Sequence, residues 1–180
     1  TAGQLATKRM ALQEAVAHLK KGLELVQTLS PSTERDTREV EIRTALGVAI
    51  MALYGWAHPE VRVSFEPALK LAKSLGLTEP HAMILWGVWV NIQTQGRQRE
   101  CLHWADLMLE EAERSGDAKM LIPGLMAAMV SHFWLGELTT AKAYRDRLMS
   151  LYDPAAHHQV ADLYNHDPKT LAGIYSAHWT

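Results

Sequence analysis

Cysteine is nearly missing from this sequence, since Cys101 is the only one among 180 residues. An internal disulfide is therefore impossible, which fits a reducing compartment such as the cytosol. An excess of charge of one sign is also missing, because 18 basic and 20 acidic residues are interspersed and leave a net charge of −2. Nucleic-acid binding needs a concentrated basic face, so we expect no nucleic-acid partner.

Long apolar runs are missing as well. The most apolar segment, from Met120 to Leu135, is short for a bilayer span and contains Pro123, Ser131 and His132. No early segment resembles a secretory signal. We therefore expect a cytoplasmic protein without membrane contact. Because the sequence starts and stops within helix-like patterns and has no initiator Met, we also expect it to be a fragment of a larger protein.

What the sequence does contain is an internal repeat between Gly76 and Gly136. Each copy reads as helix, tight turn and helix, with a small residue, Cys101 or Ala141, five positions after its inner glycine. A fixed period of this size is typical of helical solenoids. The two copies align at an offset of forty residues, and the matched pairs are Gly76 with Gly116, Leu85 with Leu125, Val90 with Val130, Gly96 with Gly136, and Asp106 with Asp146.

Apolar residues at spacings of three and four extend this pattern along the chain, and 48% of all residues are hydrophobic. The pattern predicts an all-α solenoid of helical hairpins with repeats of about 40 residues. An interior proline costs about 3 kcal/mol in a helix, so we expect a kink or a later helix start at Pro67 and a later start at Pro123. We expect one domain over 1–180, with helix pairs at roughly 1–29, 33–75, 78–115 and 117–152, then a connector and a truncated helix at 168–180.

The turn glycine with its small residue five positions later resembles the tetratricopeptide repeat, whose usual period is about 34 residues, whereas HEAT-type repeats share the longer period and are the alternative. Short phrases in a consistent order extend the resemblance: Ala15 to Leu25, Pro59 to Val61, Ala68 to Leu71, Leu85 to Gly87, Phe133 to Leu138, Leu151 to Pro154 and Tyr164 to Pro168. They are similar to the C-terminal repeat region of bacterial regulators that join a class III adenylate/guanylate cyclase domain to a P-loop signal-transduction ATPase. The resemblance implies a sensory or protein-binding role, because the sequence contains neither catalytic module.

The first helix of each tetratricopeptide pair lines a concave surface, and counting back from Gly96 and Gly136 predicts which side chains lie there. Aromatic and Met residues on that surface would suit an apolar peptide or a neighbouring helix. The alternative is that these side chains fill the core between helices, and a shift of one position would exchange Trp86 with Trp89. The predicted partner-binding residues are Trp86, Val90, Gln93, Met126, Val130 and Phe133.

Two features have residue types that can carry chemistry. The connector after Asp153 contains His157, His158 and His166, and histidine and carboxylate are zinc ligands, but the spacing matches no metal signature. We therefore predict a polar packing segment there, with no metal. Cys101 is predicted to be the small residue of a repeat rather than a nucleophile, because His103 lies on another face of the same helix.

Three functions remain open from the sequence. The first is a non-catalytic scaffold or sensory module that binds a partner protein, a peptide or the ATPase domain of its own regulator. The second is a small-molecule sensor with its ligand in the concave groove, and the third is a metal-dependent enzyme that uses the histidine-rich connector. We favour the first, which needs no special constellation of residues and no cofactor. Because terminal repeats normally need a polar cap, self-association through uncapped ends is also expected.

Overall fold

A computed structural model describes residues 2–116, 118–155, 157 and 167–177. Within these residues the fold is all-α, as predicted, with eight helices and no strand. The helices are α1 (Ala2–Gln27), α2 (Thr33–Tyr54), α3 (Glu60–Leu75), α4 (Thr78–Thr94), α5 (Gln98–Ser115), α6 (Ala118–Trp134), α7 (Leu138–Leu151) and α8 (Pro168–Ser176).

The forty-residue offset recurs in the backbone. Helices α4 and α6 both contain 17 residues, and the first begins at Thr78 and the second at Ala118. The glycines that end the preceding helices, Gly76 and Gly116, both have a φ of 67°, a left-handed conformation that a Cβ atom disfavours. The inner glycines after α4 and α6 also match, with φ values of 76° and 78°. The matched glycines of the sequence are therefore equivalent turn positions.

The helices form two compact units, Thr1–Thr94 and Gln95–Thr180. In the first unit each helix packs on its neighbour in sequence, and α2 contacts α1, α3 and α4. Helix α2 begins after Ser32, whose hydroxyl oxygen accepts a hydrogen bond from the Arg35 N–H at 3.1 Å. The packed faces carry the apolar stripes that the 3.6-residue period places on one side, and their fully buried members include Val40, Ile50, Val61, Phe65 and Ile84.

In the second unit α6 is the central helix and packs on α5, α7 and α8. Nearly every residue from Met120 to Ser131 is buried, as expected for a helix that is apolar on all its faces. Helix α8 begins at Pro168 after Asp167, whose carboxylate caps the helix by accepting the Thr170 N–H at 2.7 Å. Packing between successive helices in both units is consistent with a solenoid. The single domain over 1–180 and the pairing of its helices stay predictions.

The two interior prolines do not delay their helices. Helix α3 begins at Glu60 and continues through Pro67, and α6 begins at Ala118 before Pro123, so the predicted later starts are wrong. Proline removes one helical hydrogen bond, here to the carbonyl of Val63 in α3. An ion pair between Arg62 and Glu66 spans that turn, and Val63 is 67% exposed, so this side of α3 faces solvent. Packing of the flanking turns outweighs the local preference.

Candidate functional site

The predicted concave-face residues are mostly buried. Trp86, Val90, Met126 and Val130 are each less than a tenth exposed, whereas Gln93 and Phe133 are half-buried. The ring centroids of Trp86 and Trp89 lie 4.8 Å apart, and Trp89 is buried too, so a shift of one position would not select a more exposed ring. Their contact with a partner stays a prediction, and the accessible apolar surface lies elsewhere.

An open apolar groove of about 550 Å³ lies in the first unit, among α1, α2 and α4. We call it the α2 groove because one face of α2 provides most of its lining. Leu12 of α1 lies along one side, and Pro80 and Met83 of α4 lie along the other. The α2 residues that line the groove are Glu41, Thr44, Ala45, Val48, Ala49 and Ala52.

Helix α2 has two apolar stripes, and only one of them is used in the core. Val40, Leu46 and Ile50 are buried against the neighbouring helices, whereas Val48 remains 43% exposed. Ala45 and Ala52 lie one turn on either side of Val48 and are also exposed. The sequence contained a signal for this second stripe, because Ala45, Val48 and Ala52 follow the spacing of a helix face, but it could not show that the face lacks a covering helix.

Among the described residues that line the α2 groove, the one charged group is the Glu41 carboxylate. Glu41 is exposed and makes no ion pair or hydrogen bond with the described residues. The other polar side chain of the lining, Thr44, donates its hydroxyl proton to the Val40 carbonyl of its own helix at 2.7 Å. The groove therefore offers an occupant apolar contacts and a single unneutralised negative charge.

A phenylalanine under the groove sets how α2 and α4 pack. Phe65 of α3 is 1% exposed, and its ring lies between Gly47 of α2 and Gly87 of α4. A Cβ atom built on either glycine would lie 2.3 Å from a ring carbon, so only glycine fits at both positions. Gly47 precedes the groove residue Val48, and Gly87 follows Met83 by about one turn. The three-residue contact thus sets the distance between α2 and α4, two of the three helices that line the groove.

Asn91 near the end of α4 holds the turn between α2 and α3. It is fully buried, and its amide donates to the Trp56 carbonyl at 2.5 Å and to the His58 carbonyl at 3.0 Å. Turn carbonyls without a donor would be costly beside a packed core. This buried amide therefore has a structural role in the first unit.

The remaining titratable candidates are held in structural contacts. Cys101 is fully buried in α5, and burial, reinforced by the charge of Glu100, raises the pKa of its thiol to about 12. The thiol is therefore protonated at neutral pH, when a nucleophile would need the thiolate. Glu39 is buried in α2, but both its oxygens are paired, one with Arg43 Nε at 2.7 Å and one with an Arg35 nitrogen at 2.9 Å.

The histidine-rich connector is described only in part. His157 accepts the Asp153 N–H on its Nδ1 at 3.0 Å and stacks on Tyr152, whereas His158 and His166 lie outside the described residues. Within the described ranges, no group of three or more His, Cys, Asp or Glu side chains is placed to hold a metal ion. The nitrogen of His157 that faces Asp153 is already engaged.

A hydrogen bond between Tyr152 and Asp167 joins the end of α7 to the start of α8. The tyrosine hydroxyl donates to the carboxylate at 2.8 Å. Burial alone would raise the pKa of Asp167, but hydrogen bonds from Thr170, Tyr152 and the Lys169 N–H hold it below its ordinary value. Burial, together with the bond to the Asp167 carboxylate, raises the pKa of Tyr152 to about 12. The pair anchors α8 and leaves no free base.

Comparison with known proteins adds no assignment, because no family, curated protein or solved structure matches this chain. Among the described helices, none combines the length and the apolar character needed to cross a membrane. A functional hypothesis therefore depends on the α2 groove and on the resemblance of the sequence to tetratricopeptide arrays.

Proposed function

We propose that this chain is a helical-repeat module that binds a partner protein through the α2 groove and catalyses no reaction itself. The observation that carries this proposal is the exposed second stripe of α2, flanked by Leu12 and Met83 in an open groove. Partially exposed apolar side chains in a concave surface form the core of many protein interfaces. A stripe that none of the described helices covers is a suitable surface for another helix or peptide.

The proposed repeat type is tetratricopeptide-like. In the predicted pairs 33–75 and 78–115, α2 and α4 are the first helices, and first helices line the concave surface in that family. Both helices line the groove, and they contact each other, which supports this arrangement. Met83 lies about one turn before Trp86 and two turns before Val90, so the groove meets the predicted partner-binding face of α4 at its accessible end, Met83.

A small apolar ligand is the second candidate, because a volume of about 550 Å³ suits one. Small-molecule sites usually enclose their ligand and direct several polar groups at it. The α2 groove is open, and its one free polar group is the Glu41 carboxylate. These properties favour a protein partner over a small molecule.

We further propose that the module belongs to a cytoplasmic signalling regulator of bacterial type, where it senses a partner or packs on an ATPase domain of the same protein. The support is the series of short phrases from Ala15 to Pro168 in a consistent order, together with the single cysteine. The buried thiol of Cys101, with its raised pKa, supports a non-catalytic role for this segment.

Photo-crosslinking tests the proposal directly. A benzophenone side chain replaces Val48 in the groove, and a matched protein carries it in place of Val63, which is 67% exposed on α3 and does not line the groove. In native cells we expect a discrete covalent adduct from position 48 and none of that mass from position 63. Equal adducts from both positions, or none from position 48, would contradict binding through the α2 groove.

A further inference from the structure

We infer that the natural occupant of the α2 groove is a short amphipathic helix with a lysine or arginine placed against Glu41. This inference rests on the proposed function and names the chemistry of the partner. Three properties of the groove lead to it: the mostly apolar lining, the length of the exposed stripe, and the Glu41 charge at one end of that stripe.

The lining of the groove favours a helix over an extended peptide. An extended occupant would bring unpaired backbone N–H and C=O groups against the Leu12, Val48 and Met83 side chains, where nothing can bond them. Extended peptides usually solve this by pairing with a free sheet edge, and all the lining elements are helices. A helix satisfies its backbone internally and presents only side chains.

The length of the stripe sets the size of the occupant. From Glu41 to Ala52 the α2 face runs for three turns, or about 16 Å at about 1.5 Å per residue. An occupant helix of about three turns would cover it. The small side chains of Ala45, Ala49 and Ala52 allow the occupant to approach α2 closely, so its own large apolar residues can reach Leu12 and Met83.

The charge sets the chemistry of one end of the occupant. An apolar helix that covered Glu41 would remove water from a carboxylate that makes no ion pair with the described residues. A lysine or arginine opposite the carboxylate compensates for this loss, whereas an acidic residue there adds repulsion. The other described lining residues are uncharged, so the preference should be confined to the end nearest Glu41.

A displayed library of three-turn helical peptides tests the inference. Every peptide carries leucine on one face at successive turns, and the positions flanking each end of that face vary among Lys, Glu and Gln. Selection is carried out on the wild-type chain and on Glu41→Lys and Val48→Glu variants. The matched controls are Glu24→Lys, an exposed acid of α1 outside the groove, and Val63→Glu. Circular dichroism confirms that each variant is folded.

The wild-type chain should enrich lysine at one end of the leucine face. Glu41→Lys should enrich glutamate at that same end, and Glu24→Lys should behave as wild type. Measured by fluorescence anisotropy, the enriched lysine peptide should bind Glu41→Lys about tenfold more weakly than wild type. A different result would overturn this inference and leave the proposed function in place. In it, wild type enriches apolar peptides without a charge preference, Val48→Glu loses them and Val63→Glu keeps them.

Three further outcomes would count against the proposals. If wild type enriches no peptide, or Val48→Glu enriches the same peptides as wild type, both the proposed function and the inference fail. If the wild-type chain is a dimer by light scattering and Val48→Glu is a monomer, a second copy of the chain occupies the groove. That result would overturn the inferred basic helix.

Discussion

Replacing either glycine beside Phe65 should destabilise the protein, although alanine is the better helix former. The Phe65 ring is 1% exposed, and Cβ atoms built on Gly47 and Gly87 would each lie 2.3 Å from it, on different ring carbons. The ring therefore cannot move away from one new methyl group without approaching the other helix. A normal contact needs more than about 3.5 Å between carbon atoms.

The expected magnitude is the difference between two opposing effects. An extra methyl group in a closely packed core typically costs about 1–3 kcal/mol, while glycine to alanine within a helix contributes about 0.5–1 kcal/mol. Because the ring is confined on both sides, we expect the overpacking cost to be near the upper end of that range. The free energy of unfolding should therefore fall by about 2 kcal/mol for Gly47→Ala or Gly87→Ala. For a chain of this size, the loss corresponds to a fall of about 4–8 °C in the melting temperature.

Thermal unfolding followed by far-ultraviolet circular dichroism measures the effect. The matched control is Gly22→Ala, because a Cβ there meets only Ile42 Cδ1 at 3.7 Å, an ordinary contact, and this variant should be at least as stable as wild type. Phe65→Leu should remove most of the penalty of Gly87→Ala, so the double variant should be more stable than the sum of the single changes predicts by about 2 kcal/mol. A Gly87→Ala variant that melts no lower than wild type would refute this reasoning. So would a double variant whose loss of unfolding free energy equals the sum of the losses from Gly87→Ala and Phe65→Leu.

Three further results are expected. Asn91→Ala should lower the free energy of unfolding by about 1–3 kcal/mol, because the Trp56 and His58 carbonyls lose their donor. An unchanged urea midpoint for this variant would contradict the assignment. Cys101 should react with iodoacetamide at pH 8 only after unfolding, because the thiol is buried and its pKa is about 12; rapid labelling of the native chain would disprove it. The lowered pKa of Asp167 means that its contribution to stability is present above the ordinary aspartate pKa and is lost as the pH falls through the folded value. Asp167→Asn keeps a helix-capping side chain but cannot titrate, so this variant should lose the acid dependence of stability. If the unfolding free energy of wild type and of Asp167→Asn falls with the same slope between pH 5 and 2, the assignment is contradicted.

The periodic elements of this fold were predictable from local sequence. The positions of Gly76 and Gly116 predicted two equivalent helix ends, and both glycines have the same left-handed backbone conformation. The cap at Asp167 was predictable for the same reason, since an acid before a proline marks a helix start. The effect of Pro67 was not predictable, because packing of the whole helix against its neighbours exceeds the cost of one lost hydrogen bond.

The candidate site was predictable only in part. Counting along the repeats predicted Trp86 and Val90 of α4 as partner-binding residues, and both are buried. The accessible surface is one turn earlier, at Met83, and on α2 around Val48. Periodicity identifies apolar faces, but a helix with two such faces does not show from its own sequence which one a neighbour covers.

The sequence alone determined the helical class, the forty-residue spacing and the positions of the turns, because these depend on contacts between residues that are near each other in the chain. Only the tertiary structure decided which stripe of α2 stays exposed, that Phe65 lies between Gly47 and Gly87, and that Glu41 makes no ion pair with the described residues. These features depend on contacts between helices that are distant in sequence, and a one-dimensional pattern does not specify the distance or rotation between two helices.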